Sequence, residues 1–261
     1  MRTAAFLILL AALRAAADDD LELPVAAHAD QPVEAWVGLA ATGEVHHRGE
    51  RVSLDRFTAA LHEAALRDVG EVAEGGPRAS RLRLRIRADA RAPWRHVQWL
   101  LQAAAECRVY RTEFVVRRDG GGAGVLEAWL PVDAGVHAGG GPDERVRVRL
   151  VAEGARAAKF GPAGAVADVE VPEATAFVLG ERRTKDPKEL ALWLAEEIAT
   201  RSCGGTSLAW EIAADARVPF GDVVKALDAL RGTGVEGVEF HGAPPPSPEV
   251  RARDLLLYPS E

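Results

Sequence analysis

Only two cysteines, Cys107 and Cys203, occur in 261 residues, and nothing around them has metal-ligand spacing. That excludes a disulfide framework and a cysteine-based zinc site. Cys107 falls near the end of one helical pattern and Cys203 in a loop after another, so two thiols are expected rather than a bridge. Lysine is confined to positions 159, 185, 188 and 225 while arginine is abundant, a bias of the whole composition that makes any single Arg weak evidence. The net charge of -7 gives no sign of a nucleic-acid partner. No apolar run reaches the roughly 18 residues of a membrane span. The Gly-rich runs lack the G-x-G-x-x-G or Lys-Ser/Thr context of a phosphate loop, and no Ser/His/Asp order or paired carboxylates emerge. The sequence therefore predicts no enzyme, no cofactor and no metal. His46 and His47 stand together in a hairpin turn without a third ligand in view and read as an exposed turn.

What is present is an ordinary globular composition, 48% hydrophobic and 27% charged, behind an N-terminus that reads MRTAAFLILLAALRAAADDD. One Arg, an apolar run from Ala4 to Leu13 and the small residues Ala15-Ala16-Ala17 have the layout of a secretory signal, with cleavage expected after Ala17. The mature chain is accordingly expected to be soluble and periplasmic or otherwise extracytoplasmic.

The chain also repeats itself. IRADARAPWRHV, from Ile86, returns as IAADARVPFGDV, from Ile212. Aligned on these, the halves share Ala88/Ala214, Asp89/Asp215, Ala90/Ala216, Arg91/Arg217, Pro93/Pro219, Val97/Val223, Leu101/Leu227, Glu113/Glu239 and Phe114/Phe240, with Trp94 matched by Phe220. Agreement falls on a strand, a turn and a helix face, the mark of a shared fold.

Around each copy the same order is legible. Val33–Leu39 has strand composition, ATGEVHHRGERV carries hairpin signals, and Leu54, Phe57, Leu61 and Ala65 recur at helical spacing. Arg81–Arg87 alternates strictly, as a half-buried strand does. Pro93 opens a helix with Val97, Leu100, Leu101 and Ala104 inward, Arg111–Arg117 closes the unit, and VLEAWLPV adds a strand. In the second half strands are expected at 145–151, 174–179, 207–213 and 235–240. Helices open at Pro187, with Leu190, Trp193, Leu194 and Ile198 inward, and at Pro219, with Val223, Val224, Leu227 and Leu230. ARDLLLYP mirrors the extra strand. The fold class expected is α+β: two tandem two-layer domains, 33–132 and 144–261, joined by a linker at 133–143. Each is a mixed sheet with two helices on one face, in the order strand-strand-helix-strand-helix-strand.

A strand ending I-x-A-D, then VPFGDVVKALDALR, then a strand VEF, resembles the periplasmic domain of the ExbD/TolR family of biopolymer-transport proteins. The first copy, with Trp94 at the aromatic position, and the segment GEVHHRGERVSLDRFTAALHEAA are similar to that family too, so the likeness covers most of the chain after residue 33. Members carry one membrane helix with an Asp used in proton-driven coupling. Here Asp18, Asp19 and Asp20 lie beyond the apolar run, so the resemblance implies the fold and the compartment but not the proton channel. It also implies association of such domains in pairs. A tethered tandem is therefore expected to be a monomer forming an internal pseudo-dimer.

Asp89 and Asp215, each with Pro93 or Pro219 four residues on, read as structural turn residues that fold a carboxylate back onto backbone N–H groups of the turn. Trp94 and Phe220 read as packing residues. Arg81, Arg83, Arg85 and Arg87 line one face of their strand, whereas the second copy has Ser207, Ala209, Glu211 and Ala213 there. That row is a candidate anion or partner face. The expected role is that of an interaction or accessory component of an envelope protein complex, or alternatively of a peptidoglycan-binding module.

Overall fold

Alternation at Arg81–Arg87 has its outcome in strand β5 (Arg83–Ala88), where Leu84, Ile86 and Ala88 are buried and the arginines between them turn to the opposite face. The computed structural model describes residues 22–26, 37–67, 80–119, 121–129, 144–160, 167–202, 208–235 and 238–240. The expected leader, the linker, Cys203, Ser207 and the closing segment ARDLLLYP lie outside the described residues. Before β5 come β1 (Val25–Ala26), β2 (Val37–Leu39), β3 (Val45–His47), β4 (Glu50–Val52) and α1 (Leu54–Arg67); after it come α2 (Trp94–Glu106), β6 (Arg111–Arg118) and β7 (Ala123–Trp129). The second half runs β8 (Glu144–Glu153), β9 (Arg156–Phe160), β10 (Ala167–Val171), β11 (Ala174–Leu179), β12 (Arg182–Thr184), α3 (Pro187–Ser202), β13 (Leu208–Ala214), α4 (Phe220–Gly232) and β14 (Val238–Phe240).

Strand register shows how far the repeat extends. Val37 lies opposite Ile86 in parallel and opposite His47 in antiparallel pairing; Val148 lies likewise opposite Ile212 and Leu179. So β2-β3-β4-α1-β5-α2-β6 corresponds to β8-β11-β12-α3-β13-α4-β14, well beyond the stretch that aligns by eye. The halves differ where β2 meets β3 through a tight turn at Ala40–Glu44, whereas β8 and β11 continue into the two-stranded ribbon β9–β10.

The fold is mixed α+β, with four helices among the described residues, and the two half-sheets merge. Strand order is β12-β11-β8-β13-β14-β7-β6-β5-β2-β3-β4, with β1 paired to β6. Strand β7 is the link, antiparallel to β6 on one side and parallel to β14 on the other. One cluster of buried residues accordingly passes through both halves, drawing Phe57, Leu61, Val97, Leu100 and Leu101 from the first and Leu190, Leu194, Val223, Leu227 and Leu230 from the second. The helical stripes read from the sequence face inward, with Trp193 and Ile198 at the margin of the core.

The turn between β2 and β3 depends on Gly43. Its φ of 92° suits glycine, and a Cβ there would lie 2.4 Å from the His96 ring. Gly43→Ala is expected to cost about 1–3 kcal/mol, from backbone strain together with displacement of His96, read as a shift of the urea midpoint with unchanged slope.

Candidate functional site

Helix N-termini leave backbone N–H groups without intrahelical acceptors, and a side chain at the N-cap usually supplies one. Pro93 and Pro219, the N-caps of α2 and α4, make no side-chain cap bond. Each helix instead takes its acceptors from the turn before the other. Trp94 N–H donates to Val218 O and Arg95 N–H to Ala216 O, at 2.8 and 3.0 Å; Phe220 N–H donates to Ala92 O and Gly221 N–H to Ala90 O, both at 2.8 Å. Pro93 and Pro219 face each other in antiparallel register at the centre. Every bond has a counterpart under exchange of the halves, so the repeated turns meet about a local two-fold axis.

The residue types follow from that meeting. Proline needs no acceptor for its own nitrogen, and its fixed φ presents the next N–H groups outward. Small residues at 90 and 216 let the backbones approach: a Cβ on Gly221 would lie 3.1 Å from Ala90 O and 3.2 Å from Ala90 Cβ. Behind the turns four aromatic rings close the joint. Trp94 stacks on Phe220, with centroids 6.3 Å apart and 2° between planes, while the Trp94–Phe240 and Phe114–Phe220 pairs both stand at 5.1 Å and Phe114 meets Phe240 edge-on at 5.6 Å. All four are buried.

Asp89 lies beside this joint, 2% exposed. Its carboxylate accepts from the Arg91 N–H at 2.9 Å, from the Arg91 guanidinium at 2.9 and 2.8 Å, and from the Glu22 N–H at 3.2 Å. Asp215 is exposed, and its carboxylate accepts from the Ala152 N–H of β8 at 3.1 Å. The bond to the turn expected of both aspartates is thus found at Asp89, while at Asp215 the carboxylate takes a main-chain N–H from elsewhere. At Asp89 the bond lies within the turn and also reaches a distant segment, and at Asp215 it reaches a neighbouring strand.

The arginine row lies on the sheet face opposite the buried side chains of β5. Arg83 is 3.0 Å from the Glu113 carboxylate, and Arg85 bonds its other oxygen. Glu113 is 3% exposed. Burial alone would raise its pKa, but hydrogen bonds and charges from Arg85 and Arg83 together bring it below the ordinary glutamate value. In the second half β8 supplies the arginines: Arg147 bonds the buried Glu211 at 2.7 Å and Arg145 bonds Glu239 at 3.4 Å. The difference that strand-by-strand comparison implied, Arg in one copy and Ala or Glu in the other, is therefore smaller in three dimensions, because arginine–glutamate pairs form in both halves from different strands. Replacing Arg83 and Arg85 by Ser would strand a buried carboxylate, so these residues are not merely surface charges. The repeated pair Glu113/Glu239, each set just before a buried Phe, was the available signal for this pairing.

The histidines depart from an exposed turn. His47 lies edge-on to Phe57 at 6.1 Å, and burial followed by Arg48 and Arg56 lowers its pKa. His96, not singled out by the sequence, packs on Gly43 and Trp99 with its Nδ1 buried and lacking a hydrogen-bond partner. Burial first, then Arg95, takes its pKa down to about 3. Cys107 is buried and unbridged, its thiol held protonated by burial and by Glu106. Among the described residues, no helix is long and apolar enough to cross a membrane and no cluster of His, Cys, Asp or Glu has the makings of a metal site. No protein-family model matches the chain, and neither does any curated protein or solved structure.

Proposed function

We propose that the chain is a non-catalytic protein of the cell envelope, a tandem relative of the ExbD/TolR periplasmic domain that acts as an interaction or accessory component of a transport or envelope-maintenance complex. The observation that supports this reading most is the use made of the repeated motif. Ala90, Pro93, Trp94 and their counterparts Ala216, Pro219 and Phe220 are spent on joining the halves rather than on lining a cleft. A family that works as pairs of such domains, held together by membrane helices, has in a single chain carrying both copies a pair that needs no such helix. A short tether maintains the pair at an effective concentration on the order of millimolar. In this reading the protein is a periplasmic monomer.

Light scattering coupled to size exclusion tests the monomer: one chain per particle is expected, and a stable homodimer overturns that part. Site-specific crosslinking from exposed positions in envelope preparations tests the partner, with adducts to an integral membrane component of a transport complex expected. Peptidoglycan binding is the alternative, and the arginine-bearing sheet face is its motivation. If it holds, the chain sediments with purified cell wall. Arg81→Ser, at an exposed position before β5, should then weaken sedimentation several-fold, as loss of one charge-assisted hydrogen bond does, and leave the melting temperature within about 2 °C. No sedimentation of the parent protein removes this alternative.

A further inference from the structure

In the second half β8 runs unbroken past Leu150, whose carbonyl accepts from the Asp215 N–H, to Ala152, whose N–H reaches the Asp215 carboxylate. In the first half the same place is made from two pieces. Leu39 O of β2 accepts from the Asp89 N–H, the chain turns away at Ala40, and the N–H to the Asp89 carboxylate comes from Glu22. The segment Glu22–Ala26 therefore stands in for the missing continuation of a strand.

Its attachment is mostly main chain. Ala90 N–H donates to Glu22 O at 2.6 Å, Arg117 N–H to Pro24 O at 2.7 Å and Asp119 N–H to Ala26 O at 3.3 Å, and Val25 and Ala26 pair in parallel with Arg117 and Arg118. Pro24 and Ala26 are buried while Glu22 and Val25 are exposed. Arg91 holds both the Asp89 carboxylate and, at 3.4 Å, that of Glu22. An extended peptide held by backbone bonds, with small or cyclic residues inserted at alternate positions, is strand addition to a sheet edge.

We propose that the groove formed by the turn Asp89–Arg91 and the end of β6 is a docking site for an extended strand, filled in cis by Glu22–Ala26 and fillable in trans by the same segment of a second copy of this chain. Identical contacts form in either case, which is the condition under which exchange of an element between copies costs little. Ten residues, 27–36, separate the segment from β2, so its position is not dictated by direct continuity with the sheet. The segment is only five residues long, held by a few main-chain bonds with Ala26 packed into the core edge, so its release is a local opening below global unfolding in free energy. The same groove next to the joint then links the N-terminal part of the chain to the pairing of the halves.

Hydrogen exchange on the full chain reads the release directly. The amides of Ala90, Arg117 and Asp119 should exchange as one group, at least about tenfold faster than those of Trp94, Phe220 and Asp215, whose acceptors lie in the joint and the sheet. A fluorescent peptide of residues 20–30 reads the docking: it should bind saturably to the chain carrying Ala26→Arg, in which the cis segment no longer fits, and bind the parent chain only as fast as the three amides open. Protection of the three amides equal to that of Asp215 overturns the proposal, as does a peptide that binds neither chain. If Ala26→Arg does not fold, exchange on the unaltered chain and peptide capture by it decide the matter.

Discussion

Replacing Trp94 with alanine should destabilise the protein by about 3–5 kcal/mol, the range for removing a large aromatic side chain from a packed core. Trp94 has no exposed surface, and it touches Phe220 and Phe240 of the other half. The loss therefore falls on the joint as well as on the first half. Phe220→Ala should cost a similar amount for the same reason. Because the two rings stack on each other, the double replacement should cost less than the sum of the singles, with a coupling of about 0.5–1.5 kcal/mol. Urea unfolding of the four proteins checks this. Additive effects would mean that the two rings are packed independently and that the joint draws its stability from elsewhere.

Acid should destabilise the protein in two stages. His96 has a pKa near 3 in the folded chain, below the roughly 6.5 of an unfolded histidine. The folded chain therefore favours the neutral imidazole: its contribution is complete above about pH 6.5 and is lost progressively as pH falls toward 3, as the unfolded state takes up a proton that the native state refuses. Glu113 has the direction usual for a paired carboxylate, a folded pKa below the unfolded one. Its contribution is present above about pH 4.3, the unfolded value, and is lost as pH falls through the folded pKa. The slope of stability against pH should therefore begin near pH 6.5 and steepen below about 4.3. His96→Gln should flatten the upper part of the limb and Glu113→Gln the lower part, and each is read from urea midpoints across the pH range. Glu113→Gln should also cost about 1–3 kcal/mol at neutral pH, since Arg83 and Arg85 lose an ionised acceptor. A limb left unchanged by His96→Gln would mean that the imidazole is solvated enough to titrate in the folded chain.

The element order was legible in the sequence because period and punctuation are local properties. Alternation at Arg83–Ala88, the stripes Phe57-Leu61-Ala65 and Val223-Leu227-Leu230, and Pro93 and Pro219 at the helix starts all carry their structural meaning within a few residues. The ribbon β9–β10 was not read, since RAAKF and ADVEV are short and neither has an alternation long enough to mark a strand by itself. The arginine row was seen, but its partner Glu113 was not, because cross-strand neighbours in a parallel sheet are separated by a helix. His96 was passed over for a related reason: a histidine in a helical pattern gives no sign of the distant turn that buries it.

By itself the sequence determined that there are two copies of one unit, which faces of their helices and strands are apolar, and where each helix begins. Only the tertiary structure decided what the copies do to each other. The four N–H groups that start α2 and α4 find acceptors in the opposite turn, and β7 joins two sheets into one. Backbone donors and acceptors are the same at nearly every residue, so a bond between them leaves no trace in side-chain identity. Their pairing is settled by the geometry of the folded chain, in which the prolines, the small residues and the four rings bring the two turns within reach.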